Sequence, residues 1–368
     1  MGTELIRPTL SRGRQKHNDL TIFVDDYAEQ LRELFYIQHP PLAFAPDKAA
    51  ARCDSFIKGR DNDGDGNWVY YPWINTTVHI LSEEEFFTVR TARNRDLITA
   101  DEQLKFYNAK IGIGGLSIGN SVAVALVLQG GAKHIRLADF DRLALSNTNR
   151  VRSSVANLGE LKVVMTARHI YEINPYADVR IFSDGLTKEN VEEFMTGLDL
   201  VIDELDNLAV KYLIREYAKK LRLPIVMAAD NGDNAVVDIE RYDQDPQPEF
   251  FHGRMGNVTY DELAGLDKRG IGKMITKHIG AENVTERMQA SLLEMGKTIV
   301  SWPQLGGAAL INGAAVAYCV RRIICGQELE PNRALVSLDA VLIPSHNSPT
   351  EISKRSKIAD SFKEIFGL

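Results

Sequence analysis

Four glycines, a short series of acids and two cations stand in an order that can hold a nucleotide. Gly112, Gly114, Gly115 and Gly119 lie in the run GIGGLSIG, between a β-rich stretch at 110–113 and an apolar helical stretch at 118–128. Lacking a Cβ, such glycines let the backbone approach a phosphate, and the helix after them offers free N–H groups and a partly positive end. A second strand at 134–138 delivers Asp139, Phe140 and Asp141, and Asp139 stands twenty residues after Gly119, where an acid can hold a ribose hydroxyl. Asn147, Asn149 and Arg150 come within the next eleven residues, and Lys162 stands twelve after Arg150. The stretch DLVIDELDN at 199–207 closes a further strand with Asp203, Asp206 and Asn207.

Strand, glycine turn, helix, strand and acid make half of a doubly wound nucleotide-binding fold. The alternation continues downstream: helix 158–172, strand 179–182, helix 188–196, strand 198–203, helix 208–221 and strand 224–228. Such a series predicts an α/β fold, a Rossmann-like, mostly parallel sheet with helices on both faces. One more strand is expected at 235–242, a Pro- and Gly-punctuated loop at 243–256, and helices at 258–266, 281–295 and 306–325. A final strand at 335–342 and an amphipathic helix at 354–366 complete the chain. His252 and Arg254 in the punctuated loop are candidates to meet a substrate carboxylate.

Upstream, the pattern predicts a small N-terminal α+β domain. Apolar residues at 20–35 have helical spacing, and Pro40, Pro41 and Pro46 interrupt the next stretch of chain. The run RDNDGDGN at 60–67 suggests calcium through Asp61, Asp63, Asp65 and Gly66, but Pro72 stands where a bidentate Glu is needed. A hairpin turn is the expected reading, with strands at 68–73 and 77–81. Residues 83–96 read as a helix carrying Arg90, Arg93 and Arg95. The expected division is 1–104 accessory region, 105–345 nucleotide-binding domain and 346–368 helical tail.

A net charge of −7 argues against a general nucleic-acid partner. Cys53, Cys319 and Cys325 have no regular spacing, which fits a reducing compartment, and the first sixteen residues lack the apolar core of a signal peptide. The most apolar run, 305–320, is broken by Asn312 and ends at Arg321 and Arg322, too short and too rich in small residues for a membrane span. A cytoplasmic protein with no membrane partner is the expectation.

The ordered set resembles the ThiF/MoeB/HesA family of adenylyltransferases, related to the ubiquitin-activating E1 enzymes. Their pattern is matched by Asp139-Phe140-Asp141, by Ser146-Asn147-Thr148-Asn149-Arg150, by Lys162, by Ile173-Asn174-Pro175 and by Asp203–Asn207. The resemblance is dense over 90–243 and looser over 301–326. It implies ATP- and Mg²⁺-dependent activation of a carboxylate on a ubiquitin-like protein, a peptide or a small molecule. Asp139 would hold ribose, Arg150 and Lys162 the triphosphate, and Asp206 the Mg²⁺. Asn147 and Asn149 would orient phosphate or shape the turn, with Asp141 and Asn207 close by. Arg93 or Arg95 would reach a partner subunit's ATP.

Three departures qualify the resemblance. The family's GxGGxG turn has its last glycine displaced here; no paired CxxC motifs are present, so no zinc is expected; and no cysteine lies between Asp206 and Ser301 to form a thioester. An acyl-adenylate without a thioester step is the chemistry left. An NAD-dependent oxidoreductase also fits the first βαβ unit and Asp139, and a catalytically silent nucleotide-binding scaffold is the third reading. Small residues Gly306, Gly307, Ala309, Gly313, Ala314 and Ala317 along the 306–325 helix predict close contact with another helix, in a homodimer sharing its active sites.

Overall fold

Strand-forming runs of two kinds build two separate sheets. The computed structural model describes residues 6–60, 62–245, 249–330 and 332–368. The chain divides into one unit of Met1–Tyr107, Val127–Gly131 and Ala167–Ala177, and another of Asn108–Leu126, Ala132–Thr166 and Asp178–Leu368.

The first unit contains β1 (Thr9–Ser11), β2 (Ile22–Asp25), α1 (Tyr27–Gln38), α2 (Pro40–Ala43), α3 (Pro46–Lys58), β3 (Asn67–Tyr71), β4 (Thr76–Ile80), α4 (Glu83–Thr91) and α5 (Ala100–Asn108). Its sheet runs β1-β3-β4-β2. Tyr27, Leu31, Leu34, Phe35, Cys53 and Leu81 form a core under α1 and α3.

Several N-terminal expectations need correction. Residues 20–35 are not one helix: Ile22–Asp25 pairs in parallel with Thr76–His79, because its β-branched and aromatic run suits a pleated surface, and α1 begins only at Tyr27. The prolines do not interrupt helices but start them, Pro40 and Pro46 standing in the first turns of α2 and α3, where a missing N–H costs nothing. The Asp65-Gly66 turn leads into β3; the hairpin itself turns between Tyr71 and Thr76, with Asn75 at φ +48°. Asp65 is bound to Arg60 at 2.7 Å, and Arg60 also meets Glu85 at 2.7 Å, so this carboxylate serves an ion pair. Asp61 lies outside the described residues.

The second unit begins with β5 (Lys110–Gly114), α6 (Ile118–Leu128, its last two residues falling in the first unit), β6 (His134–Ala138), α7 (Lys162–Ile173, which passes into the first unit from Ala167), β7 (Asp178–Phe182), α8 (Val191–Met195), β8 (Leu200–Asp203), α9 (Leu208–Leu221), β9 (Pro224–Asn231) and β10 (Asn234–Arg241). It continues with α10 (Tyr260–Ala264), α11 (Lys268–Ile279), α12 (Glu286–Leu293), α13 (Gly306–Ile324), β11 (Arg333–Val336), α14 (Leu338–Leu342) and α15 (Pro349–Phe366). The seven strands lie in the order β11-β10-β9-β8-β5-β6-β7. Strands β5 to β9 are parallel; β10 and β11 are added antiparallel at one edge. Every residue of β8 is buried, as expected of a central strand covered on both faces. After β5 the chain winds outward through β6 and β7, then returns to the other side of β5 with β8. That reversal opens a crevice at the carboxyl ends of β5 and β8, where such sheets bind ligands.

Three later elements also differ from expectation. The segment 335–342 divides into β11 and α14, because the Ser337 side chain accepts from the Ala340 N–H and starts a helix. Helix α11 has no clear signal, since Gly270 and Gly272 lower its propensity; packing of Ile271, Met274 and Ile275 against Phe251 and Met255 supports it instead. The small residues of α13 pack within the unit. A Cβ at Gly306 would lie 2.4 Å from the Asn149 carbonyl oxygen, one at Gly313 2.8 Å from the Ser121 backbone, and Ala309 and Ala317 are buried. Gly307, Leu310, Ala314 and Tyr318 remain exposed on the opposite side. By length and composition α13 could cross a bilayer, yet its buried face covers β9 and β10. Helix α15 packs Phe362 beside Ile279, Val284 and Met288 and belongs to this same unit.

Candidate nucleotide site

The turn between β5 and α6 is fixed by its neighbours. Gly115 has φ +83°, and a Cβ there would lie 2.1 Å from the Glu204 carbonyl oxygen, so only glycine fits. Gly114 packs on Leu205, and Gly119, in the first turn of α6, packs on Ile113. Gly112 departs from the phosphate role expected of it. It sits within β5 where a Cβ would strike Leu198 at 2.5 Å and Phe194 at 3.0 Å, so it serves strand–helix packing.

Asp139 locks this turn from β6. One carboxylate oxygen accepts from the Leu116 N–H and the other from the Asp141 N–H, both at 2.7 Å. Burial raises its pKa, and the two amide donors and Lys162 oppose that rise. Each oxygen keeps a lone pair, so holding the turn and accepting a sugar hydroxyl are compatible. Lys162, nearly buried, places its ammonium 2.7 Å from Asp141.

Arg150 comes from the loop after β6. Its Nε donates to Ser117 Oγ at 3.0 Å, one residue before α6, and one of its terminal N–H groups donates to Asn149 Oδ1 at 3.0 Å. Asn149 in turn donates to the Gln304 carbonyl at 2.8 Å. Asn147 accepts from the Ala144 N–H at 3.0 Å and thus shapes the loop. Burial lowers the Arg150 pKa, and the nearby carboxylates of Asp230 and Asp206 counter it.

At the end of β8, adjacent acids have different work. Asp203 is fully buried and bound to Arg215 at 2.7 Å and Lys211 at 3.0 Å; Arg215 also pairs with Glu240 at 2.7 Å. These cations hold the Asp203 carboxyl below its usual range despite burial. Asp203 is therefore structural. Glu204 accepts from the Ala228 N–H at 3.0 Å, and burial pushes its pKa well up. Asp206 is exposed and lines the crevice. Asn207 caps α9, its Oδ1 accepting from the Ala209 and Val210 N–H groups at 3.0 and 3.2 Å, which leaves Asp206 unencumbered by capping. Asn207 is thus a structural residue through this oxygen.

A cavity of about 370 Å³ opens here, edged by Ile118, Arg150, Glu204, Asp206, Asp230 and Gln304. Asp230, at the end of β9, accepts from the Asn312 and Gln304 side-chain amides, and burial pushes it up to about 6. Glu204, Asp230, Gln304 and the apolar wall behind them were not anticipated from sequence. An acid at a strand's carboxyl end was the available signal for Asp230. His252 and Arg254 are not among the cavity residues: Arg254 pairs with Asp238, and the His252 backbone has φ +52° in a tight turn. Arg93 and Arg95 are exposed in the first unit, whereas Arg90 is spent on the Val127 carbonyl.

Among the described residues no cluster of three or more Asp, Glu, His or Cys could hold a metal. A single exposed carboxylate, Asp206, beside a cationic anion site fits a hard ion that keeps water and phosphate oxygens as its other ligands, the habit of Mg²⁺.

Glycine turn, helix N-terminus, acid and cation at the switch point define a nucleotide-binding α/β protein of the doubly wound class. The ThiF family model matches residues 91–292, more than half the chain, and the chain belongs to that family. An uncharacterised Mycobacterium tuberculosis protein is 40% identical over 275 residues, 75% of this chain and 38% of that protein. The Escherichia coli tRNA threonylcarbamoyladenosine dehydratase is 33% identical over 145 residues, 37% of this chain and 53% of the enzyme. A crystal structure of that enzyme in complex with ATP covers 64% of this chain and 94% of its own at 20% identity, with a TM-score of 0.46. The Thermus thermophilus sulfur carrier protein adenylyltransferase is 29% identical over 120 residues, 32% of this chain and 43% of the enzyme. The chain thus spans 38–53% of the length of these relatives.

Proposed function

We propose that the chain is an ATP- and Mg²⁺-dependent adenylyltransferase that activates a carboxylate as an acyl-adenylate. The observation that carries this reading is the convergence of Arg150 and Asp206 on one crevice beside the α6 N-terminus, from segments far apart in sequence. A nicotinamide dinucleotide can use such a cation on its diphosphate but gives no use to the exposed Asp206 carboxylate beside it. Family membership supports the reading, as does the adenylyltransferase among its relatives.

In the reaction a carboxylate oxygen bonds to the α-phosphorus of ATP while the bond to pyrophosphate breaks. The carboxylate is already ionised, so no general base is needed, and the protein's work is positioning and charge neutralisation. Asp139 accepts from a ribose hydroxyl. The free N–H groups at the start of α6, with Arg150, hold phosphate oxygens, and Lys162 adds charge from behind Asp141. Asp206 would hold Mg²⁺, which supplies further neutralisation of the triphosphate. No thioester step is included: Cys319 is buried in α13 with its thiol pushed up to about 11 by burial, Cys53 is buried in the first unit, and the half-buried Cys325 stands at the far end of α13 and is not among the residues lining the cavity. The product adenylate passes to a nucleophile in solution or on a partner.

The working form in this reading is a cytoplasmic homodimer in which Arg93 or Arg95 approaches the partner's triphosphate. Its test is pyrophosphate exchange into ATP, driven by a panel of peptide and small-molecule carboxylates. Mg²⁺-dependent exchange is expected; binding of NAD with no binding of ATP would favour an oxidoreductase.

A further inference from the structure

Building on the adenylation reading, we infer that the activated group is an acylated α-amino acid with a large apolar side chain. The 370 Å³ cavity is walled by Met227, Phe251, Met255, Ile271, Ile275 and Trp302. Its volume lies near the low end of the ~300–1,000 Å³ typical of small-molecule sites. Asp139, the ribose ligand, ends β6 on one side of β5; the cavity lies at the ends of β8 and β9 on the other. A nucleotide laid from Asp139 along the glycine turn brings its phosphates to Arg150 and Asp206. The apolar cavity then lies beyond the phosphates, where the carboxylate enters.

The wall also carries a polar fixture. Asp230 accepts from Gln304 Nε2 at 3.1 Å and from Asn312 Nδ2, and each oxygen keeps a lone pair. It lines the cavity together with Arg150, which marks the reacting end. A substrate that fills these features has a carboxylate toward Arg150, an N–H toward Asp230 and an apolar side chain among the six large residues. That is the chemistry of an acylated apolar amino acid, either free or as the last residue of a polypeptide. A terminal glycine would leave the apolar walls uncovered. Burying a Leu- or Phe-sized group there is worth roughly 10- to 100-fold in binding.

The experiment titrates the full chain with N-acetyl-leucine, N-acetyl-phenylalanine, N-acetylglycine and N-acetyl-leucinamide, and with acetylated pentapeptides ending in Leu or Gly. Binding is read from tryptophan fluorescence, with Trp302→Phe assigning the signal, and pyrophosphate exchange is read in parallel with ATP–Mg²⁺. Leucine and phenylalanine carboxylates are expected to bind and drive exchange at least tenfold better than glycine carboxylates, with the amide inactive. Ala229→Met and Ile275→Trp, which fill the cavity from a strand and from a helix, should each erase that preference. Tighter binding of the leucine-ended peptide than of N-acetyl-leucine assigns the source to a polypeptide, and equal binding to a small molecule; both support the inference. Equal use of glycine and leucine carboxylates, or binding of neither, overturns it. Selective leucine binding without any exchange would keep the cavity's assignment and refute the adenylation reading instead.

Discussion

Arg150 is tied to Ser117 by a 3.0 Å hydrogen bond from its Nε, which fixes the guanidinium at the threshold of α6. A second bond, from a terminal N–H to Asn149 Oδ1 at 3.0 Å, helps hold the cation beside a helix end that favours anions. Arg150→Ala should reduce ATP–Mg²⁺-dependent exchange by about 100-fold or more, the usual loss when one preorganised donor is removed. Ser117→Ala keeps the charge and should lose about tenfold or less. Exchange kinetics on the two variants, with circular dichroism to verify folding, check the ordering.

Asp206 and its neighbour Asn207 should separate cleanly. Asp206→Ala is expected to abolish Mg²⁺-dependent turnover with little effect on stability, since the side chain is exposed. Asn207→Ala removes the α9 cap and should cost about 1 kcal/mol of stability. Urea unfolding and exchange assays on both variants give the two readouts; a wild-type exchange rate in Asp206→Ala would rule out its metal role.

Glycines of the turn should not respond alike. Gly115→Ala forces a Cβ against the Glu204 carbonyl at a left-handed φ and is expected to destabilise the protein by several kcal/mol, at about the upper end of single-site effects. Gly119→Ala meets one tight neighbour, Ile113 Cγ2 at 3.0 Å, with Leu116 and Glu204 at ordinary contact distances of 3.5 and 3.7 Å, and should cost about 1 kcal/mol. Thermal unfolding of the two variants compares them directly.

Asp230 gives a stability signature in pH. Its folded pKa of about 6 lies above the unfolded value of about 3.9, so ionisation disfavours the folded state. Its contribution is therefore greatest at low pH, falls as pH rises from about 4 to 6, and levels above that, a change of about 3 kcal/mol. Asp203 acts in the opposite sense: its depressed pKa contributes stability above the unfolded value that is lost as pH falls through the folded one. Subtracting the unfolding free energy of Asp230→Asn from that of wild type across pH 4–8 isolates the Asp230 slope. A flat difference would contradict the burial-driven shift.

Much of the second unit was legible in sequence because each parallel strand and its helix carry their own signal. The glycine turn, the Asp139 strand end and the Leu208–Leu221 helix are local patterns, and the last is delimited by Asn207 and by Arg222 at φ +59°. The features that escaped were decided by partners distant in the chain. Nothing around Gly112 says that Leu198 and Phe194 will fill the space beside it, nor around Asp203 that Arg215 and Lys211 will surround it. The apolar wall draws Phe251, Ile275 and Trp302 from separate segments, one of them a glycine-bearing helix sustained by packing. The small residues of α13 were visible, but their partners, the Asn149 and Ser121 backbones, were not.

Because Gly306 and Gly313 are used within the unit, a homodimer must rest on other surfaces or on the exposed Leu310 and Tyr318 side of α13. Complementation tests the shared site. Arg93→Ala/Arg95→Ala and Asp206→Ala should each be inactive alone. After dissociation and random reassociation they should regain up to roughly a quarter of wild-type activity, since half the dimers are mixed and each has one intact site. Mixtures that stay inactive despite verified exchange of subunits would rule out an arginine acting in trans.

The most direct measurement is a calorimetric titration of the full chain with ATP–Mg²⁺ and, separately, with NAD. The nucleotide site built from Gly115, Asp139, Arg150 and Asp206 predicts saturable ATP–Mg²⁺ binding that weakens sharply in Arg150→Ala, with much weaker binding of NAD. Binding of NAD without ATP, or ATP affinity unchanged by Arg150→Ala, would contradict it.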